Sequence, residues 1–204
     1  MAELSEDEFQ LLYGRWQPLK PREVGELLDG APFRWWIGGG WAIEAAGGTP
    51  RRHDDTDVVM LLDDLPTVRE WLAEFHLWEA HAGALQPLLA EDEPREGRRQ
   101  LWVRRDADSP WLCDIQLNPV QEGRWLFKRD ARISLPLDEL GRTFDGIPYL
   151  WAPVMLLHKA KTVRAKDQAD FDGVIGALSD DDRRWLDDAL ALAHPGHPWG
   201  RSET

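Results

Sequence analysis

A pair of aspartates at the head of an apolar run constrains this chain more than any other feature. Asp55 and Asp57 precede the apolar residues 58–62, and side chains alternate along a β-strand, so both carboxylates leave the same face. Two like charges within about 5 Å cost free energy unless a cation compensates them, and Mg²⁺ is held by one or two carboxylates with substrate phosphates. The pair predicts a strand carrying a magnesium site and, with it, a nucleotide. An aspartate-rich surface turn is the alternative.

Three consecutive glycines lie upstream of this pair. Gly38, Gly39 and Gly40 separate a short aromatic and β-branched segment at 33–37, predicted as a strand, from a helical segment at 41–46. Bare backbone N–H groups at a strand-to-helix junction can receive phosphate oxygens without a Cβ in the way. A tight turn is the alternative, because close backbone packing also demands glycine. Together with the aspartates, the glycines favour phosphate binding.

A third carboxylate, Asp114, stands inside the apolar run at 111–117. Strand interiors disfavour aspartate, and a buried polar group without a partner costs about 1 to 3 kcal/mol or more. Asp114 is therefore expected to be paired, capped or metal-bound, unless it lies at an exposed edge.

Hydrophobic periodicity supplies the remaining elements. Further strands are predicted at 55–62, 100–104, 111–117 and 124–127, and an amphipathic helix at 65–75. The spacing of Phe171, Val174, Ile175 and Leu178 indicates one buried helix face. Ser179 and Asp182 resemble a capping box that starts another helix at 180. Residues 91–99 are predicted to form a solvated loop, and the tail from 195 to be extended.

Composition narrows the classes of function. The net charge of −13 argues against a general nucleic-acid surface, which needs clustered cations, and suits a cationic small molecule. The single cysteine, Cys113, excludes a disulfide framework and reads as a buried thiol. No segment approaches the ~18 apolar residues of a membrane span, so a cytoplasmic protein is expected. The twelve tryptophans are scattered through the predicted elements and are expected to fill core volume.

The stretches 36–44 and 52–58 closely resemble the aminoglycoside 2''-adenylyltransferases, members of the polymerase-β-like nucleotidyltransferase superfamily. The resemblance implies an α+β fold, with a nucleotidyltransferase core of mixed sheet and flanking helices over residues 1–150 and a small helical C-terminal region over 151–204. It implies that Asp55 and Asp57 hold the metals and that Asp114 is the third acidic residue, acting as base, metal ligand or both. Gly39 and Gly40 would bind the nucleotide phosphates, and Gly40 departs from the commoner serine.

A basic segment in the helical half extends the resemblance. Four cations stand within eight residues, and this stretch is similar to an element of related nucleotidyltransferases: Lys159, Lys161, Arg164 and Lys166. A triphosphate-facing role is implied for the three lysines, with Asp167 and Asp170 setting their orientation. A solvated helix face is the alternative.

The predicted reaction is Mg²⁺-dependent transfer of a nucleoside monophosphate, AMP from ATP being the expected case, to a hydroxyl of a small cationic acceptor such as an aminoglycoside. Glu44, Glu91 and Asp92 are candidate carboxylates for that acceptor. His53 is expected to be a hydrogen-bonding residue rather than a ligand, since Mg²⁺ favours oxygen. A protein or tRNA acceptor remains open, although the arginine pairs at 51–52, 98–99 and 104–105 read as solvated surface or single phosphate contacts. A catalytically silent nucleotide-binding module is the other alternative.

Overall fold

The computed structural model describes residues 5–89, 92, 97 and 99–201, and the predicted loop at 91–99, including Glu91, therefore lies largely outside the described residues. The chain forms two compact units. The first combines the part up to Trp35 with Asp54–Leu117, and the second combines Trp36–His53 with the part from Asn118 onward. The division at residue 150 stays a prediction.

Helices and strands alternate irregularly along the described residues. The helices are α1 (Glu6–Tyr13), α2 (Pro21–Leu27), α3 (Gly39–Ala45), α4 (Leu65–Trp71), α5 (Ala152–Lys159), α6 (Ala165–Val174) and α7 (Asp180–Ala193). The strands are β1 (Trp35–Ile37), β2 (Asp57–Leu61), β3 (His76–His81), β4 (Ala84–Pro87), β5 (Gln100–Arg104), β6 (Cys113–Asn118), β7 (Val120–Gln121), β8 (Arg124–Leu126), β9 (Ser134–Pro136), β10 (Gly141–Phe144) and β11 (Ile147–Leu150). Short 3-10 helices occupy Leu62–Asp64 and Leu137–Glu139.

The first unit is built on strands in the order β2-β6-β5-β3-β4. β3, β4, β5 and β6 pair antiparallel, and Trp102 of β5 lies opposite Asp114 of β6. Val58, Met60 and Ile115 are almost completely buried, which explains why β2 and β6 read as apolar runs. The strand predicted at 100–104 is confirmed, and those predicted at 55–62 and 111–117 are shorter than expected.

Tryptophans pack together in the first unit. The Trp111 ring is 2% exposed, its Nε1 donates to Tyr13 O at 2.6 Å, and its centroid lies 5.4 Å from that of Trp102. Trp16 contacts Trp102 edge-on at 5.0 Å. The Arg104 guanidinium lies 4.4 Å from the Trp111 ring centroid, a cation–π contact. The predicted core role is confirmed for Trp111, whereas Trp16 and Trp102 pack against other rings but remain partly exposed. Arg104 packs on Trp111 rather than standing free in solvent.

The second unit contains a β10-β11-β1 sheet, a separate β7-β8-β9 sheet and four helices. β1 runs parallel to β11, with Ile37 opposite Tyr149. α3 packs against α5, α6 and β11, and α5 packs against α7. Val154, Leu156 and Val174 are fully buried, so the core of this unit lies among the helices.

Two sequence expectations in this unit are corrected. α6 ends at Val174, so Ile175 and Leu178, which were predicted to continue its buried face, lie beyond the observed helix. The tail is turned rather than extended, because His197 N donates to His194 O at 3.0 Å and Trp199 is buried. The capping box is confirmed: Ser179 Oγ accepts from Asp182 N at 3.1 Å, and the Asp182 carboxylate accepts from Ser179 N at 3.1 Å.

Each helix in the described part of the chain is too short or too polar to cross a bilayer.

Candidate active site

The aspartate pair is anchored through the residue between its members. Thr56 is 1% exposed, and its Oγ1 donates to Leu19 O at 2.6 Å. Since side chains alternate along extended chain, burying Thr56 turns Asp55 and Asp57 to the opposite face. Asp55 is exposed and Asp57 is half-buried. The two aspartates, which are two residues apart, therefore point away from the protein core on the same side, as the sequence predicts.

Asp114 lies beside this pair on the neighbouring strand. Its backbone N donates to Thr56 O at 2.9 Å, and its carboxylate Oδ2 accepts a hydrogen bond from Gln100 Nε2. Its Oδ1 is buried and makes no hydrogen bond of normal geometry among the described residues, although the Trp102 side chain on the paired strand interacts with this carboxyl. Burial and then the negative charge of Asp57, joined by that of Asp55, raise the pKa of the Asp114 carboxyl well above its usual range, against the opposing hydrogen bonds from the Gln100 and Trp102 side chains.

The chemistry of these three carboxylates fits a hard cation. Carboxylate oxygens are the ligands that Mg²⁺ prefers, and a buried oxygen such as Asp114 Oδ1 needs a proton, a metal or a substrate group as partner. In the described residues, no three His, Cys, Asp or Glu side chains converge closely enough to form a ready metal site. Without a cation the three carboxylates repel one another, so we expect them to move closer together when Mg²⁺ binds. The metal roles stay a prediction.

Local backbone conformation and packing are sufficient reasons for glycine at positions 39 and 40. Gly39 has a φ of +60°, a conformation that glycine adopts at little cost. A Cβ on Gly40 would collide with the Arg51 guanidinium and lie 2.7 Å from atoms of the His53 ring. α3 begins at Gly39, so the predicted helix start at 41 is two residues late. Phosphate binding by Gly39 and Gly40 stays a prediction.

Glu44 and His53 form a pair beside these glycines. His53 Nε2 lies 2.9 Å from Glu44 Oε2, and the His53 ring stacks on Trp41 with centroids 4.0 Å apart. The Glu44 carboxylate also accepts from Arg51 N at 3.3 Å. His53 is thus the hydrogen-bonded residue that the sequence predicts. Glu44, a candidate carboxylate for the acceptor, is thus already engaged, because it holds the loop before β2 through Arg51 N and His53.

A buried ion network links that loop to α5 and α6. The Asp170 carboxylate accepts from Arg51 Nε at 2.8 Å and from Lys159 Nζ at 2.9 Å. Lys159 Nζ also donates to Asp167 Oδ1 at 2.8 Å, and Arg164 Nε donates to Asp167 Oδ2 at 2.7 Å. Burial alone would raise the pKa of Asp167 and of Asp170, but hydrogen bonds from these cations hold both below the ordinary value.

The three predicted phosphate-binding lysines are not gathered in one place. Lys159 is nearly buried between its two carboxylates, its side chain being 9% exposed. Lys161 is exposed and has no ion pair among the described side chains, and Lys166 is exposed on the first turn of α6. Lys159 is therefore the lysine that the structure holds in a defined position.

Asp92, a candidate carboxylate for the acceptor, caps a turn by accepting a hydrogen bond from Leu89 N at 2.9 Å.

Arg51 and Gln100 are site residues that the sequence did not single out. Arg51 was expected to be surface or a single phosphate contact, and Gln100 was seen as one residue of a strand. Gln100 of β5 lies opposite Gln116 of β6, two residues from Asp114. Pairing the two predicted strands in this register would therefore have placed Gln100 near Asp114. No comparable signal pairs Arg51 with a residue on a helix beyond residue 164.

Three comparisons place these features among known proteins. A family model described as aminoglycoside-2''-adenylyltransferase matches residues 22–92, which include the glycines and the aspartate pair. The chain is similar to the crystal structure of the lincosamide antibiotic adenylyltransferase LnuA bound to lincomycin, with 15% identity, a TM-score of 0.51 and coverage of 76% of this chain and 94% of that one. A comparison with curated proteins finds no match.

A second solved structure is similar to this chain to the same degree. The chain is similar to ANT(2'')-Ia in complex with adenylyl-2''-tobramycin, with 12% identity, a TM-score of 0.51 and coverage of 82% of this chain and 92% of that one. At such identities, the two structural likenesses show a shared fold. The predicted α+β class, with a mixed sheet, flanking helices and a helical C-terminal region, is confirmed.

Proposed function

We propose that this chain is an aminoglycoside 2''-adenylyltransferase-like nucleotidyltransferase. It transfers a nucleoside monophosphate, AMP from ATP in the expected case, to a hydroxyl of a small cationic acceptor of the aminoglycoside kind. The family match over residues 22–92 supports this reaction, since it covers both predicted motifs.

The carboxylate oxygen Asp114 Oδ1 carries the proposal. It is buried without a hydrogen bond of normal geometry among the described residues, and the negative charges of Asp57 and Asp55 act on it. Leaving such a group unpaired costs about 1 to 3 kcal/mol. A purely structural strand would be more stable with an apolar residue there. A binding site has a reason to retain the carboxylate, because substrate or metal supplies the missing partner.

Each group has a defined part in the proposed reaction. The acceptor hydroxyl oxygen bonds to the α-phosphorus, the bond from that phosphorus to the bridging oxygen breaks, and pyrophosphate leaves. Asp114 accepts the hydroxyl proton, the part of a general base placed beside the attacking oxygen. Asp55, Asp57 and Asp114 would hold Mg²⁺, which supplies charge stabilisation at the phosphoryl oxygens. Gly39, Gly40 and Lys159 are assigned to the phosphates.

The negative charge of the protein is the reason for proposing a cationic acceptor. A net charge of −13 attracts cationic ligands and repels polyanions. Asp55 is exposed and Asp57 half-buried, so their face is negative until cations bind. An amino sugar brings both the hydroxyl and the positive charge that this field favours.

Pyrophosphate release tests the proposal. The protein is incubated with Mg²⁺ and ATP, GTP, CTP or UTP, with or without a panel of aminoglycosides and the lincosamide lincomycin. We expect release that requires an aminoglycoside and is fastest with ATP. Asp57→Asn should abolish it, whereas Asp63→Asn, which alters an exposed aspartate just beyond β2, should retain it.

Other outcomes are equally informative. Release that requires lincomycin alone would replace the acceptor class and keep the reaction. Triphosphate binding without release for any acceptor on the panel would contradict the small-molecule assignment. Full turnover by Asp57→Asn would remove the aspartate pair from the mechanism.

A further inference from the structure

Two side chains of β5 lie beside the carboxylate of Asp114. Trp102 is directly opposite Asp114 in the antiparallel pair of β5 and β6, and Gln100 is opposite Gln116, two residues further along β6. Residues that are directly or diagonally opposite in such a pair share one face of the sheet and can touch. The register of a single strand pair therefore brings an amide and an indole to one buried acid.

The two contacts differ in kind. Gln100 Nε2 donates a hydrogen bond to Asp114 Oδ2. The Trp102 side chain also interacts with this carboxyl, but Trp102 Nε1 and Asp114 Oδ1 are both buried without a hydrogen bond of normal geometry in the described part of the chain. One carboxylate oxygen is thus held, and the other is left for a further partner.

The Trp102 ring is held in place by other aromatic rings. Its centroid lies 5.0 Å from that of Trp16, 5.4 Å from that of Trp111 and 6.2 Å from that of Tyr13, each in an edge-on arrangement. Edge-to-face contacts between aromatic rings are favourable beyond the area that they bury. Although Trp102 is partly exposed, its indole is therefore a fixed wall beside Asp114.

The partners of Asp114 are neutral, unlike those of other buried aspartates in this chain. Asp167 and Asp170 each accept from the Lys159 ammonium, at 2.8 Å and 2.9 Å. The side-chain donors that the described residues supply to Asp114 are an amide and an indole. A cation compensates the charge of a carboxylate, whereas a neutral N–H group orients the carboxylate and leaves its charge for a metal ion or a proton. Neutral donors therefore suit an acid that acts on a ligand.

We propose that Gln100 and Trp102 are positioning residues of the transfer reaction, which fix the plane of the Asp114 carboxylate so that Oδ1 receives the proton of the acceptor hydroxyl. The inference rests on the proposed function, in which that proton leaves as the hydroxyl oxygen bonds to the α-phosphorus and pyrophosphate departs. Gln100 holds Oδ2, and the Trp102 indole limits rotation of the carboxylate. Losing this orientation slows the chemical step, because a general base must lie within hydrogen-bond reach of the proton that it accepts.

Steady-state kinetics of the full chain separate this role from a structural one. Pyrophosphate release is measured with Mg²⁺, ATP and the aminoglycoside of the panel that supports the fastest release. Gln100→Met keeps the length of the side chain and removes its N–H groups. We expect its kcat to fall about tenfold or more, the effect of a lost hydrogen bond to a charged group, while KM for ATP stays within about twofold of the wild-type value.

Two further variants complete the kinetic comparison. Trp102→Phe keeps an aromatic ring and removes the indole N–H group, and its kcat should fall less than that of Gln100→Met, because the indole lacks a hydrogen bond of normal geometry. Gln86→Met is the matched control, since Gln86 lies on the edge strand β4 of the same sheet, opposite Glu79. Its kcat and KM should equal those of the wild type.

Side-chain resonances test the contact without turnover. In proton–nitrogen NMR spectra, the amide of Gln100 is identified by its absence from Gln100→Met. A hydrogen bond to a carboxylate should shift one of its protons downfield and slow its exchange with water, and Asp114→Ala should remove both effects. A Gln100 amide that does not respond to Asp114→Ala would overturn the contact on which the inference depends.

The outcomes separate this inference from the proposed function. A wild-type kcat in Gln100→Met and in Trp102→Phe would refute the positioning role and leave the reaction in place. A raised KM with unchanged kcat would also refute it, because the residues would then act in substrate binding. If Gln100→Met does not fold, as judged by circular dichroism, Trp102→Phe carries the same comparison. Wild-type protein that releases no pyrophosphate with any acceptor would refute the proposed function itself, and with it this inference.

Discussion

Arg51 Nε donates to Asp170 Oδ1 at 2.8 Å across 119 residues of sequence. This ion pair ties the loop before β2 to α6, and Lys159 of α5 joins it through the same carboxylate. Three separate segments thus depend on one buried aspartate for their charge balance. Removing one partner from a buried ion pair leaves an uncompensated charge, which costs more than the pair contributes.

Asp170→Asn should therefore destabilise the protein. Neutralising this carboxylate leaves Arg51 and Lys159 close together without their shared anion, and we expect a loss of about 3 kcal/mol in the free energy of unfolding. The urea midpoint at pH 7 measures this loss. Asp172→Asn is the matched control, because Asp172 lies on the same helix but is exposed. A midpoint equal to that of the wild type would show that the pair carries no net stability.

Gly40→Ala should weaken triphosphate binding, because the proposed function assigns Gly40 to the nucleotide phosphates. The added methyl collides with the Arg51 guanidinium and the His53 ring, although alanine by itself favours a helix by about 1 kcal/mol over glycine. We expect weaker ATP binding for Gly40→Ala, and less weakening when Arg51→Ala removes the guanidinium with which the added methyl collides. Calorimetric titration of the four proteins with ATP gives this coupling. Strictly additive losses would mean that the two residues act independently.

Local patterns explain how much of the fold the sequence predicts. The strand β5 and the start of α7 follow from alternation and from the Ser179 cap, both of which are set by neighbouring residues. The end of α6 was missed because Ile175 and Leu178 continue the apolar spacing after the helix has stopped. Gly173, where a Cβ would lie 3.0 Å from Thr49 N, packs close to a segment distant in sequence, and no periodicity reports such a contact.

The candidate site likewise contains residues that local sequence indicates and residues that only long-range contacts reveal. Asp55, Asp57 and Asp114 were predicted as site residues because an acid at or in an apolar strand conflicts with the local pattern, and their roles stay a prediction. Glu44 was assigned to the acceptor, but it is engaged with His53, and sequence spacing alone does not reveal which polar groups are already satisfied. Arg51 was missed because its partner Asp170 lies 119 residues away. Long-range pairing of polar groups is what the structure adds.

Asp114→Asn should stabilise the protein without bound metal while abolishing turnover. Burial and the charges of Asp57 and Asp55 raise the pKa of Asp114 in the folded state, so the folded protein binds this proton more tightly than the unfolded chain does. The contribution of Asp114 to stability is greatest below about pH 4, the ordinary aspartate value, and falls as pH rises toward the folded pKa. Asparagine does not titrate, and the advantage of the variant should grow with pH.

Urea midpoints of wild type and Asp114→Asn at pH 4 and pH 7, with a chelator present, measure this trend. A tenfold change in the acid dissociation constant on folding corresponds to about 1.4 kcal/mol. Asp138→Asn, which alters an acid outside the site, should show no such trend. A difference between wild type and Asp114→Asn that stays constant over this pH range would mean that the carboxyl is not perturbed. Added Mg²⁺ should reduce the advantage, because it stabilises the ionised wild-type site.

His158 should make the protein less stable in mild acid. Its ring packs edge-on against Phe127, with centroids 5.0 Å apart, and burial, with the charges of Lys128 and Arg129, lowers the pKa of His158 to about 3. The unfolded chain takes up this proton near pH 6.5, so the unfolded state binds more protons below that value and stability is lost as pH falls. Between pH 7 and pH 5 the loss should be about 1 to 2 kcal/mol.

His158→Leu isolates that loss, since leucine fills apolar space and takes up no proton. Between pH 7 and pH 5, Asp167 and Asp170 stay ionised when folded, because the pKa of each lies below its ordinary value, and they contribute little to the change. Comparing urea midpoints at the two pH values, we expect the wild type to lose more stability than His158→Leu does. His81→Leu, at an exposed histidine, should follow the wild type. If His158→Leu loses as much stability as the wild type, the ring is charged in the folded protein and its environment is not apolar.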